Sequence, residues 1–168
     1  MGLQKVLIAG EWRESINPTS SFNAVNPSKR SNLLEVYPVS GDEDINDLLE
    51  AGKNATVSLR EVDPNKLADF LELFAKKIEE TADELVEIAN LETALQKEPR
   101  LRNIELPRTT DQLRKAAISA RELSWCKATI DSAVNIRSKF GPLAGPVVVF
   151  GPNNFPFAFN SVSGGDFA

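Results

Sequence analysis

Along the first forty residues, β-branched and aromatic side chains alternate with polar ones, and Asn-Pro, Pro-Ser and Gly punctuate them. The stretches "KVLIAGEW" and "SSFNAVNPSKRSNLLEVYPVS" therefore predict short strands joined by turns, a small β meander. At Ser40 the period changes. Glu43 stands at capping-box spacing, and Ile45, Leu48 and Leu49 recur at helical spacing, which predicts a helix from about Asp42. Asp63 and Pro64 form an N-cap and first-turn pair, after which Leu67, Phe70, Leu71, Phe74 and Ile78 fall on one face of a second helix. Thr81 and Glu84 repeat the capping-box spacing and open a third, with Leu85, Ile88 and Leu91, that runs out near "ETALQKEP".

Pro99 ends or restarts the chain there. The stretch "RLRNIELPRTTDQLRKAAISARELSW" is mostly helical by composition, with Pro107 as a kink or break and Thr109 or Thr110 as a local cap. "WCKATIDSAVNIRSKF" alternates loosely and reads as extended. The run Val147, Val148, Val149, Phe150 lacks polar alternation, as a strand covered on both faces does. Gly151 and Pro152 then make a turn, and Pro156 suits a first helical turn. The order is β hairpins, several helices, an extended arm and one buried strand turning into a helix, so the class is α/β, without internal repeats or a flexible linker.

Composition narrows the function classes. The 168 residues are 42% hydrophobic and 26% charged, which is average globular usage and fits one compact unit. The net charge is −5, and lysines and arginines are interspersed with acids, so nucleic acid is not an expected partner. The apolar run Val6 to Ala9 is too short for a signal peptide or a bilayer span, and Val6 stands where a myristoylation signal wants Ser or Thr. No membrane association and a cytoplasmic location are expected. The one cysteine, Cys126, has neither a disulfide partner nor a histidine to activate it, so it reads as a partly buried, inert thiol.

Candidate chemistry gathers at the junction after the valine run. In open α/β sheets ligands bind at the carboxyl ends of strands, where helix N-termini offer N–H groups. Asn153 and Asn154 occupy this turn. An asparagine there is either a helix N-cap or, held against a carbonyl, a donor to the oxyanion formed on nucleophilic attack, an effect of roughly 3 kcal/mol in acyl-transfer sites.

The passage "GPVVVFGPNNFPFAFN" resembles the strand, turn and helix of the aldehyde dehydrogenase superfamily, whose motif is Pro, an aromatic, Asn, a variable residue, Pro. Pro152, Asn153, Asn154, Phe155 and Pro156 match it, with Asn153 in place of the usual tryptophan. "IAGEW" resembles the family's first hairpin, "FNAVNPSKRSNLLEVYPVS" its "NP" strand pair and "LETALQ" its Glu-Thr-Gly segment, with Ala94 where glycine is expected. "FGPNNFPFAF" with the later "GGDFA", and "RTTDQLR", most resemble the branch of 2-oxoglutarate semialdehyde (2,5-dioxovalerate) and NADP-dependent fatty aldehyde dehydrogenases.

The resemblance covers essentially the whole chain and implies its organisation. Residues 1–123 would be the hairpin and helical part of a cofactor-binding domain, 124–140 an extended oligomerisation arm, and 141–168 the first βα unit of a Rossmann-like sheet. It also implies roles. Asn154 would be the oxyanion donor, and the backbone of Phe150, Gly151, Pro152 and Asn153 would lie beside the nicotinamide of NADP or NAD. Phe155 and Phe159 would face the aldehyde substrate or simply pack. Arg108, Gln112 and Arg114 would bind a substrate carboxylate, or sit in solvent or in a structural ion pair.

In that family a cysteine nucleophile, a glutamate base, a cofactor lysine and a glycine-rich turn follow the corresponding segment. The expectation is an N-terminal fragment of a homo-oligomeric NAD(P)-dependent aldehyde dehydrogenase, inactive alone. The alternative is a noncatalytic interaction module that associates through its arm.

Overall fold

The structure, a computed structural model, describes residues 2–159. The chain begins with two antiparallel hairpins. In the first, β1 (Val6–Ile8) pairs with β2 (Glu11–Arg13), with Ile8 opposite Glu11. The two-residue loop needs positive φ at both positions, and Ala9 (52°) and Gly10 (84°) supply it. In the second, β3 (Ser20–Asn26) pairs with β4 (Ser31–Val39) and bulges between Asn23 and Val25. Phe22 stacks on its cross-strand partner Tyr37, with ring centroids 5.6 Å apart.

The first helix, α1 (Asp42–Leu59), starts as expected but is capped differently. Gly41 is the N-cap, and a Cβ there would lie 2.7 Å from the Asn17 carbonyl oxygen, so only glycine fits. With the start fixed one residue later, the third helical position falls to Asp44 rather than Glu43, and the expected Ser40–Glu43 box does not form. The buried Asp44 carboxylate instead ties α1 to the first hairpin. It accepts from Ser15 Oγ (2.5 Å), from Ile16 N (3.2 Å) and from Arg13 (3.1 Å).

Helix α2 (Pro64–Glu80) carries the expected cap, with the Asp63 side chain accepting from Asn65 N at 2.7 Å. Its buried stripe, however, is Ala68 and Ala75 with half-buried Leu71 and Ile78, while Phe70 is 60% exposed and stacks on Phe74. The reason is the neighbour. Helix α4 (Leu106–Glu122) presents Leu113 and Ala117, and the alanines on both sides let the axes approach where a phenylalanine ring would not fit. Arg114 pairs with Glu79, while the later Arg121 pairs with the earlier Glu72 and Asp69, so the two helices run antiparallel.

Between them, α3 (Ala82–Thr93) begins at Thr81, whose hydroxyl bonds back to the Lys77 carbonyl rather than capping forward, so the second expected box is absent too. Ala94 ends α3 in the left-handed region (φ 58°). A wide helical segment, Lys97–Glu105, contains the cis Glu98–Pro99 bond; Glu98 is extended (φ −128°, ψ 138°), so the helix proper restarts at Pro99. Val86, Ala89, Leu101 and Leu106 form the main core cluster, with Phe157 packed against it.

Pro107 lies in the first turn of α4 and neither kinks nor breaks it. Thr109 and Thr110 are not caps: both are buried, with their hydroxyls bonded to the Glu105 and Pro107 carbonyls. A single 3-10 turn, Ser124–Cys126, leads to a third hairpin, β5 (Thr129–Asp131) with β6 (Ile136–Ser138), exposed on every residue. The expected strand at Val147–Phe150 is not formed. Among the described residues no neighbouring strand offers it a ladder, and Val148 and Phe150 are 64% and 90% exposed. Among the described residues, no helix is long and apolar enough to cross a membrane.

Candidate functional site

The turn after the valine run is held from below by a buried carboxylate. Residues Glu105, Thr109, Leu113 and Ala117 recur every four positions and form the buried stripe of the α4 region, so Glu105 is carried inward with its apolar neighbours. A buried carboxylate needs hydrogen-bond partners. Its Oε1 accepts the backbone N–H of Phe157 at 2.8 Å and of Ala158 at 3.2 Å, and its Oε2 accepts Arg100 Nη1 at 2.5 Å.

Arg100 extends the clamp. Its Nη2 donates to the Asn154 carbonyl oxygen at 2.9 Å, and its guanidinium lies 4.5 Å from the Phe155 ring centroid. Phe155 stacks on Phe159 at 4.5 Å, and the Arg108 guanidinium covers both rings at 5.9 and 5.4 Å. The chain begins to wind here, since Phe159 N bonds to the Phe155 carbonyl. The acceptor that serves the first helical N–H groups is Glu105 from another element, and Ala158 is fully buried at the contact.

The expected site residues divide accordingly. Asn153 and Asn154 are exposed at the tip of the turn, Phe155 and Phe159 are half-buried, and Arg108 lies beside those rings. Gln112 is half-buried one turn further along α4. Phe150, Gly151 and Pro152 lead into the turn, the first two exposed. Arg114 does not join this group. Its guanidinium makes a two-pronged pair with Glu79 of α2, at 2.7 and 2.8 Å, which holds the Glu79 carboxyl below its ordinary range and raises Arg114.

Cys126 is likewise elsewhere. It lines, with Trp125, Phe140 and Leu143, an apolar groove of about 480 Å³ between the ends of α1 and α4 and the start of α2; no residue from 150 to 159 lines it. The described residues hold no His, Cys, Asp and Glu cluster fit for a metal ion. Sequence reasoning missed Glu105 and Arg100. The available signal was an acid at core spacing with Thr109 and Leu113.

Comparison with known proteins adds the family. No curated protein matches the sequence. Among solved structures, aldehyde dehydrogenase C of Pseudomonas syringae, a mutant complexed with NAD+ and octanal, superposes with a TM-score of 0.69 at 19% identity, covering 77% of this chain and 26% of that one. An NAD-dependent benzaldehyde dehydrogenase of Corynebacterium glutamicum gives 0.67 at 19% identity, covering 78% and 26%. An NADP-dependent glyceraldehyde-3-phosphate dehydrogenase of Bacillus halodurans gives 0.64 at 23% identity, covering 77% and 26%. The chain thus spans about a quarter of the length of these structures, and its mixed helices and strands match the N-terminal part of their fold. The model of the aldehyde dehydrogenase family matches residues 12–163, and the chain belongs to that family.

Proposed function

We propose that these residues supply the oxyanion side of an NAD(P)-dependent aldehyde dehydrogenase, with Asn154 as the donor that meets the aldehyde oxygen. The observation that carries this reading is the turn itself: Asn154 stands exposed at its tip while Arg100 holds its carbonyl and Glu105 holds the backbone that follows, at Phe157 and Ala158. A neutral amide held there offers two N–H donors whose charge no pH near neutrality changes. Such a donor stabilises developing negative charge without reorganising at the moment of reaction.

The run Phe150 to Asn153, exposed except at half-buried Pro152, fits the nicotinamide end of a dinucleotide, since it leaves backbone groups and an apolar ring open beside Asn154. That cofactor accepts hydride from the substrate carbon when bound. The solved relatives include both NAD+ and NADP complexes, and either fits this reading. Arg108 and Gln112 are the side chains placed to meet a substrate carboxylate, as in a 2-oxoglutarate semialdehyde. Arg108 rests on the Phe155 and Phe159 rings and, among the described residues, pairs with no carboxylate, which leaves it placed to meet one. The assignments of 1–123 and 141–168 to the cofactor-binding part, and a cytoplasmic location, belong to the same reading.

The 168 residues alone do not turn over. Their one cysteine is Cys126, which lies in the groove rather than at the turn. Purified chain of verified mass, mixed with NAD+ or NADP+ and 2-oxoglutarate semialdehyde, is expected to give no NAD(P)H absorbance; aldehyde-dependent production would refute it.

One observation favours a second role. The hairpin in the 124–140 arm exposes Ile130 (73%), Val134 and Ile136, a surface suited to a copy of the chain or a longer relative. Sedimentation of the chain at high concentration is expected to show a homo-oligomer, and a monomer throughout would remove this role.

A further inference from the structure

We propose that Glu105 and Arg100 are the positioning pair of the Asn154 turn, a role that rests on reading Asn154 as the oxyanion donor. An oxyanion donor must be held within about 0.5 Å of its productive place, and neighbours in the core usually do this by packing. Asn154 is exposed, so packing does not hold it. Its backbone must be fixed instead.

Beside the packing of Phe157 on the core and of Arg108 on the Phe155 ring, four contacts within five residues lead to one pair. The Asn154 carbonyl and the Phe155 ring are engaged by Arg100, and the Phe157 and Ala158 N–H groups by Glu105. Arg100 joins the two halves, with Nη1 on the Glu105 carboxylate and Nη2 on the Asn154 oxygen. The task needs a planar fork with a flat face. A lysine in its place would keep the charge, yet a single ammonium on a flexible stem would not hold both oxygens and stack on the ring.

The pair also separates the turn from ordinary helix capping. A local cap comes from the residue just before the helix, whereas this carboxylate lies 52 positions earlier and is itself fully buried. Its geometry is set by the core stripe of α4, so the turn inherits the rigidity of the helical layer. Asn154 contributes only its main-chain oxygen, which leaves its side chain uncommitted to the clamp.

Hydrogen exchange on the ¹⁵N-labelled chain tests this. In Arg100→Lys, exchange at the Phe157 and Ala158 amides is expected to accelerate about tenfold while Ala75 and Ala117 stay unchanged, a local opening of the turn. In Glu105→Gln the acceleration should be larger, and the Phe157 amide proton should move upfield as its charged acceptor becomes neutral. Exchange at Phe157 and Ala158 within about twofold of the parent in Arg100→Lys would overturn the proposal, as would equal acceleration at Ala75 and Ala117. If Glu105→Gln does not fold, Arg100→Lys alone decides. Asn154→Ala keeps every anchor and should leave these amides unaltered, so a failure of Asn154 as donor would show in turnover of a complete enzyme carrying these residues and not in exchange of this chain.

Discussion

Glu105 and Phe157 are 52 positions apart, yet the carboxylate of one accepts the backbone N–H of the other at 2.8 Å. This contact joins the two parts of the chain that matter most to the proposed chemistry: the helical layer, which has a packed core, and the motif turn, whose tip at Asn153 and Asn154 is exposed. The exposed approach from Val147 to Phe150 gives the turn no support, so its order comes from α4 and the segment before it. Sequence alone would place the support in the strand.

Ala94, where the sequence resemblance leads one to expect glycine, sits in a conformation whose energy can be read directly. It holds φ 58° at the end of α3, in the region where L-residues are strained by about 1–2 kcal/mol. Glycine removes that strain but adds about 0.4–1 kcal/mol of unfolded-state entropy. Ala94→Gly is therefore expected to stabilise the chain by about 0.5–1 kcal/mol, read as a rise in urea midpoint without a change of slope. A fall in midpoint would contradict the strained geometry.

Acid should loosen the junction of the first hairpin and α1. The Ser15 hydroxyl, followed by the Ile16 N–H, Ser40 and Arg13, holds the Asp44 carboxyl below its ordinary value of 3.8, against the opposing effect of burial. A depressed carboxylate contributes stability above its unfolded pKa and loses it as pH falls through the folded value. Stability should be level above about pH 5 and fall below about pH 4, with Asp44→Asn lowering the plateau and flattening that slope. Equal slopes in the two proteins would assign the acid sensitivity elsewhere.

The Arg114–Glu79 pair is two-pronged, but both side chains are 42% exposed, so solvent screens it. A double-mutant cycle with Arg114→Ala and Glu79→Ala is expected to give a coupling of about 0.5–1 kcal/mol that shrinks at high salt. A coupling near zero would free Arg114 to act elsewhere, including on a substrate.

Much of this architecture is legible in the residues. The hairpins follow from alternation and turn chemistry, and α2 from Asp63–Pro64 and its apolar period. The misreadings share a cause. Phe70 and Phe74 look like core by hydrophobicity, but the α2–α4 seam selects for small volume, and volume is set by the partner helix. Ser40 and Thr81 have capping-box spacing, yet Gly41's close approach to Asn17 fixes where α1 starts, and Thr81 is engaged by the preceding helix.

The motif turn shows the same division. Asn154 is visible because its neighbours Pro152 and Pro156 are adjacent in sequence. Glu105 and Arg100 reach it from far along the chain, through a contact that no local pattern encodes. Val147–Phe150 has the composition of a buried strand, but a strand is a relation between segments, and none of the strands among the described residues pairs with it.

The role proposed for Asn154 is tested most directly by turnover of a complete aldehyde dehydrogenase in which these residues form the N-terminal part. With NAD+ or NADP+ and an aldehyde, Asn154→Ala is expected to lower kcat by about 10²–10³ while the KM for the cofactor stays near the parent's. A kcat within about twofold of the parent would contradict the assignment of the oxyanion site to this turn.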